Sequence, residues 1–159
     1  MRCDAHKFAQ MYEVVYIDLY RFALCLMKNR QDAEDAVSES VLKAYENIRA
    51  LKDEKSFKSW IFTITANTCK GRLREATKRR NESLEESLSN VSSEEIDYGM
   101  SVDVRRAFLI LTEEEQTIVG LSVFGGYNSK EIGKMLGLKD NTVRSKKVRA
   151  LEKMEQVLK

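Results

Sequence analysis

The chain has no proline, one tryptophan, one histidine and three cysteines in 159 residues. Each shortage excludes something. Absence of proline permits long uninterrupted helices, though it does not by itself require them. Cys3, Cys25 and Cys69 are odd in number and scattered, which is not a disulfide framework. Cys3 and His6 have a metal-ligand spacing but lack a second ligand pair, and a frayed N-terminus is the simpler reading. A single histidine, no phosphate-cradling loop and no metal cluster argue against an enzyme, so no cofactor and no metal is expected. No run of 18 or more apolar residues occurs, so no membrane span is expected. The opening residues, MRCDAHKFAQMYE, contain no apolar signal core, and the chain is expected to stay in the cytoplasm.

What is present is apolar periodicity and charge: 43% of residues are apolar and 33% are charged, with a net charge of only +2. Phe8, Tyr12, Val15, Leu19, Phe22 and Leu26 recur at steps of four and three, one helical stripe. After a break at residues 28–31, Asp32 is the expected N-cap of a second helix whose inner stripe is Ala33, Val37, Val41, Ala44 and Ile48. Asp35 and Glu39, four apart, share a different face. Residues 49–55 are polar and aperiodic, a loop. A third helix is expected from near Ser56, burying Phe57, Trp60, Ile61, Ile64 and Thr68. At about 100° per residue, Thr63, Asn67, Lys70 and Arg74 fall on a neighbouring polar face. The apolar pattern places Cys25 and Cys69 in the core as small hydrophobes.

Composition then shifts. Residues 81–101, NESLEESLSNVSSEEIDYGMS, hold six acids and no base, the signature of a linker. Its −6 masks +8 on the rest of the chain. Beyond it, Val104, Phe108 and Leu111 mark a short helix over 102–111. Thr112-Glu113-Glu114-Glu115 fits a capping box opening another, which Gly125-Gly126 ends. Ser129 and Asp140 are the expected caps of the last two helices. Those two, joined by a turn containing Gly137, read as a helix-turn-helix. Gly133 supplies the small residue that a close crossing requires, and Gly137 the residue able to take positive φ. Ile132, Leu136, Leu138 and Val143 fill the space between them. Asn141, Thr142, Arg144, Ser145, Lys146 and Arg149 are left toward solvent, a set able to meet base edges and phosphates in a major groove. The expected fold is all-α: two small helical domains joined by an acidic linker, the second ending in the helix-turn-helix.

On these motifs the chain resembles the extracytoplasmic-function sigma factors of bacteria. QDAEDAVSESVLKAYENI (Gln31–Ile48) is similar to the family segment that binds the polymerase clamp helices. FKSWIFTITANTCKGRLR (Phe57–Arg74) resembles its −10-reading helix, and Leu111–Leu151 its −35-reading domain. The resemblance implies a polymerase- and −10-binding domain at 1–80, a linker at 81–101 and a −35-reading domain at 102–159. It implies Asp35, Glu39 and Leu42 as polymerase contacts. Lys52, Asp53, Lys55 and Ser56 in the loop, with Thr63, Asn67, Lys70 and Arg74 along the helix, would hold the unpaired −10 strand. The six solvent-facing residues of the last helix would read the −35 element. The implied partners are RNA polymerase core, through its clamp helices and flap, promoter DNA, and an anti-sigma factor such as many relatives have.

The sequence departs from the family pattern at Gly71, where aspartate is common and where glycine weakens a helix; at Lys139, usually serine; and at Lys147, usually apolar, which points to Val148 as the residue filling the core. Two other function classes fit the same residues. One is a helix-turn-helix regulator that binds an operator without polymerase. The other is a helical interaction protein that binds no DNA.

Overall fold

The structure is a computed structural model, and it describes residues 5–82 and 101–158. Among these there are seven α-helices and no strand: α1 (Ala5–Met27), α2 (Arg30–Glu46), α3 (Phe57–Glu82), α4 (Val102–Leu109), α5 (Glu113–Val123), α6 (Ser129–Leu136) and α7 (Asp140–Leu158). Two 3₁₀ turns, Ile48–Ala50 and Glu54–Ser56, shape the connection between α2 and α3. The expected linker falls largely on residues 83–100, outside the described residues. Its expected first two residues, Asn81 and Glu82, belong to α3, and its last, Ser101, caps α4 by accepting the Val104 amide at 3.2 Å.

Helices α1, α2 and α3 pack as one unit, and α4 to α7 as a second. In the first, Phe8, Val15, Leu19, Phe22 and Leu26 are buried along α1, against Ala33, Val37 and Ala44 of α2 and Phe57, Ile61 and Ala66 of α3. Cys25 and Cys69 are buried free thiols, and burial pushes both up to about 12, so neither is a nucleophile near neutral pH. In the second unit, α4 and α5 close over α7 through Phe108, Ile118, Val143, Ala150 and Met154. The two units also touch: α1 packs on α5, and α3 on α6. Their buried side chains form one continuous cluster, bridged by Phe62–Tyr127 at 5.9 Å between ring centroids, with Phe22 of the first unit 5.5 Å from Phe62.

The helix ends differ from expectation in detail. Asn29, not Asp32, caps α2: its Oδ1 accepts the Asp32 amide at 2.8 Å, and its Nδ2 donates to the Asp32 carboxylate at 2.8 Å. Asn128, not Ser129, caps α6, in a reciprocal box with Glu131 at 2.9 Å in both directions. Asp140 lies inside the first turn of α7 rather than ahead of it, a position where a carboxylate favours the positive end of the helix. The Thr112/Glu115 box forms as the sequence indicates, with bonds of 3.1 and 2.9 Å. Gly71 does not interrupt α3. Val148 does not enter the core: it is 52% exposed, and Val143, Ala150 and Met154 fill that space along α7.

Candidate nucleic-acid and polymerase interfaces

The crossing of α6 and α7 is set by two glycines with different jobs. Gly137 ends α6 at φ 72° and ψ 33°, the left-handed conformation, and donates its amide to the Gly133 carbonyl. Gly133 lies under the turn, where a methyl group would stand 2.7 Å from the Leu138 carbonyl oxygen. The Leu138 amide closes the corner on the Gly133 carbonyl at 2.9 Å. Ile132 and Val143 are fully buried between the helices.

This fixes the outer face of α7. Asn141, Arg144, Ser145 and Arg149 are exposed, and Thr142 and Lys146 are half-buried beside them. The Arg144 Nη1 donates to Asn141 Oδ1 at 2.8 Å, so the amide already orients the guanidinium near the N-terminal end of the helix. Lys146 is held differently, in an ion pair with Glu114 of α5 at 2.9 Å. An oriented guanidinium and an amide at the start of an exposed helix suit bidentate contacts to base edges.

The second cluster lies around the connection into α3. Leu51 is buried and anchors it. Asp53 caps the second 3₁₀ turn by accepting the Lys55 amide at 3.0 Å, and Glu54 pairs with Lys7 of α1. Lys52, Asp53, Lys55 and Ser56 are therefore presented outward on a fixed loop. Asn67, Lys70 and Arg74 are exposed further along α3. Thr63 is half-buried, and its hydroxyl donates to the Ser59 carbonyl at 2.8 Å, leaving oxygen lone pairs as its remaining capacity. Loop and helix together border a cleft of about 380 Å³ lined by Leu51, Lys52, Ser56, Trp60 and Thr63. Trp60, placed on the apolar stripe by its spacing, is only half-buried and borders this cleft. The opposite wall belongs to the other unit, through Lys134 and Met135 of α6.

The third cluster is on α2. Asp35 is exposed, and Leu42 is 57% exposed, an apolar side chain without cover. Glu39 is different. Its carboxylate is bound to Lys43 and to Arg72 of α3, each at 2.9 Å. The hydrogen bond from Lys43, followed by that from Arg72, holds its carboxyl below the usual carboxylate range despite partial burial. Among the described residues Asp35, on the same face, makes no ion pair, whereas Glu39 has an internal role: it ties α2 to α3. Its i,i+4 spacing to Lys43 was a readable signal.

Several polar residues at the junction of the units escaped sequence reasoning. Lys28, at φ 72°, sends its Nζ to the Leu26 carbonyl and to Gln116 Oε1 of α5, each at 3.0 Å. Lys58 reaches the Gly125 carbonyl at 3.0 Å and lies over the Tyr127 ring. No periodic pattern marks such residues, because their partners lie 67 and 88 positions away. Among the described residues no His/Cys/Asp/Glu group could hold a metal, and no helix is long and apolar enough to cross a membrane.

Two helical units, one carrying a helix-turn-helix with an open polar face, define a nucleic-acid-binding class of protein. Known families narrow it. Residues 11–79 match Sigma-70 region 2, and residues 101–154 match Sigma-70, region 4. The chain is 31% identical over 137 residues to the RNA polymerase sigma factor SigV of Bacillus subtilis, covering 86% of this chain and 82% of that protein. It is 26% identical over 155 residues to the ECF RNA polymerase sigma factor SigM of Mycobacterium tuberculosis, covering 98% and 79%. Its fold matches that of the sigma factor RpoE from Bartonella quintana, solved with the anti-sigma factor NepR: TM-score 0.80, 23% identity, 95% of this chain and 96% of that one. The chain belongs to the extracytoplasmic-function sigma factors. It directs RNA polymerase to promoters, and the operator-binding regulator considered above is not favoured.

Proposed function

We propose a division of labour between the two units. Residues 1–80 hold the polymerase clamp helices through Asp35 and Leu42 of α2, with Glu39 contributing mainly by bracing α2 on α3, and capture the unpaired −10 strand. Lys52, Asp53, Lys55 and Ser56 set which base is preferred. Thr63, Asn67, Lys70 and Arg74 hold the strand, because a single-strand site needs amides, hydroxyls and cations along one track. Residues 102–159 dock on the flap and read duplex −35 DNA with Asn141, Thr142, Arg144, Ser145, Lys146 and Arg149, and the acidic segment 81–101 joins the two. The protein works in the cytoplasm and makes or breaks no bond itself. An anti-sigma factor is a candidate partner, as for the relative crystallised with one.

The observation that carries this reading is the exposed, pre-oriented Asn141–Arg144 pair at the start of α7, on a helix whose angle two glycines fix. In-vitro transcription with purified core on a promoter library tests it. Arg144→Ala should lose about 1–3 kcal/mol of −35 binding and relax one base position. Unchanged affinity and base preference would remove α7 from the −35 element.

A further inference from the structure

The first turn of α5 carries three consecutive carboxylates, Glu113, Glu114 and Glu115. Acids there complement the positive end of the helix. Two of them also reach across to α7, and the two pairs differ in kind. Glu115 is structural: its side chain is 6% exposed, it closes the cap with Thr112, and both its oxygens accept from Lys153. Glu114 is 45% exposed and binds Lys146, itself 34% exposed, at 2.9 Å. The packing of α5 on α7 does not need this second pair. Ile118 of α5 and Val143 and Ala150 of α7 are already fully buried in the same unit, and an open ion pair contributes little to stability.

Lys146 occupies a particular place on α7. It stands two residues after Arg144 and so about 200° further round the helix, with Asn141 and Ser145 between them on the outer face. Arg144 is drawn in toward that face by its 2.8 Å bond to Asn141. Lys146 is drawn the other way, off the margin of the face and toward α5.

A helix about 10–12 Å across fills a major groove about 12 Å wide and runs between two phosphate backbones. With Asn141 and Ser145 toward the base edges, the Lys146 margin faces one of those backbones. An ammonium there is a natural partner for a phosphate, and this one already holds a carboxylate. Phosphate and carboxylate compete for the same charge. While Glu114 holds it, Lys146 neutralises an acid of its own chain and releases no counterion from DNA.

We propose that Glu114 is a positioning residue: it withholds Lys146 from the DNA backbone and so limits the sequence-independent part of −35 binding. Readout by Asn141 and Arg144 is untouched, and the −35 unit therefore depends on base edges more than its count of cations suggests. This deepens, and rests on, the assignment of the outer face of α7 to the −35 duplex.

The test is Glu114→Gln in the full-length chain, which keeps the side chain's length and removes its charge. Fluorescence anisotropy over a range of salt reads binding to two duplexes, one bearing the −35 element selected from the promoter library and one scrambled. One freed phosphate contact adds about 0.9 to the steepness of log K against log salt. With that contribution vanishing near about 1 M salt, affinity for both duplexes should rise about fivefold at about 0.15 M, their ratio unchanged. Lys146→Ala completes the cycle. Alone it should change affinity little; combined with Glu114→Gln it should abolish the gain and the added slope. An unchanged salt slope in Glu114→Gln overturns the proposal. So does a gain that survives in the double variant, since Glu114 then acts on DNA by repulsion and not through Lys146. The −35 assignment fails separately, if Arg144→Ala leaves affinity and base preference unchanged on the same duplexes.

Discussion

Two glycine-to-alanine substitutions should move stability in opposite directions. Gly71 lies inside α3, and a methyl group there would meet nothing within 4 Å. Alanine is favoured over glycine in a helix interior by about 0.5–1 kcal/mol, so Gly71→Ala should stabilise by that amount. Gly133 also lies in a helix and carries the same intrinsic gain. Its methyl group, however, would stand 2.7 Å from the Leu138 carbonyl oxygen, and 3.5 Å from the Asp140 amide. Those are backbone atoms, and the corner is locked by the Leu138 amide on Gly133 and by the left-handed Gly137. The two helices must separate by several tenths of an ångström. Overpacking of this kind typically costs about 1–3 kcal/mol. After subtracting the helix gain, Gly133→Ala should destabilise by about 0.5–2 kcal/mol. At about 2–4 °C per kcal/mol for a chain of this size, the two variants should melt on opposite sides of wild type. Circular dichroism melts and guanidinium titrations read this directly. The recognition helix also tilts, so −35 binding should weaken in Gly133→Ala and not in Gly71→Ala. If both alanines stabilise equally, the close crossing is wrong.

Three further substitutions separate neighbouring roles. Asp35→Lys should weaken binding to polymerase core with no change in circular dichroism, whereas Glu39→Lys should also lower stability by up to about 1 kcal/mol, since it breaks the partly exposed tie to Arg72; equal stability losses in both would contradict the assignment. Lys153→Met leaves the buried Glu115 carboxylate without the ammonium that contacts both of its oxygens at 2.9 and 3.0 Å. Burial alone would raise that carboxyl, but the Thr112 amide and Lys153 together hold it below its ordinary value. A depressed carboxyl contributes stability above its unfolded value and loses it as pH falls through the folded one. The variant's deficit, about 1–2 kcal/mol after allowing for the exposure of Lys153, should be complete above about pH 4.3 and shrink below it; a pH-independent deficit in denaturant titrations would exclude the ion pair. Asn67→Ala should lower open-complex formation on duplex promoter more than on a pre-melted bubble, and equal losses on both would deny Asn67 a part in melting.

How much of this was legible in the sequence depended on how far apart the interacting residues lie. The stripes of α1, α2 and α3 were readable because a helix repeats its buried face every three or four residues, and burial of Phe8, Leu19, Phe22, Ala33, Val37 and Ile61 follows that repeat. The Thr112 box and the Gly133/Gly137 corner were readable because each is decided within five residues. The caps were misplaced by one to three positions at Asn29 and Asn128. Asparagine, aspartate and serine cap about equally well, and two of them stand close together at each end. Val148 was misread because Lys147 and Val148 are adjacent, and only the packing of Ala150 and Met154 against α4 and α5 fixes the rotation of α7.

The junction between the units was illegible for a different reason. Leu24 and Met27 are buried beyond the stripe of α1, and Phe62 is fully buried beside, not on, the expected stripe of α3. Periodicity assigns each helix one buried face, whereas α1 and α3 pack both on their own unit and on α5 and α6 of the distant one. The residues that cover it, Gln116, Gly120 and Tyr127, look locally like ordinary members of α5 and the turn after it. Gln116 is the clearest case. It is 2% exposed, donating to the Phe108 carbonyl at 3.1 Å within its own unit while accepting from Lys28 of the other. A buried amide needs both ends satisfied. Within the second unit alone only the donor end has a partner, and the acceptor end is satisfied by Lys28 of the other unit, a pairing that no local sequence pattern can show.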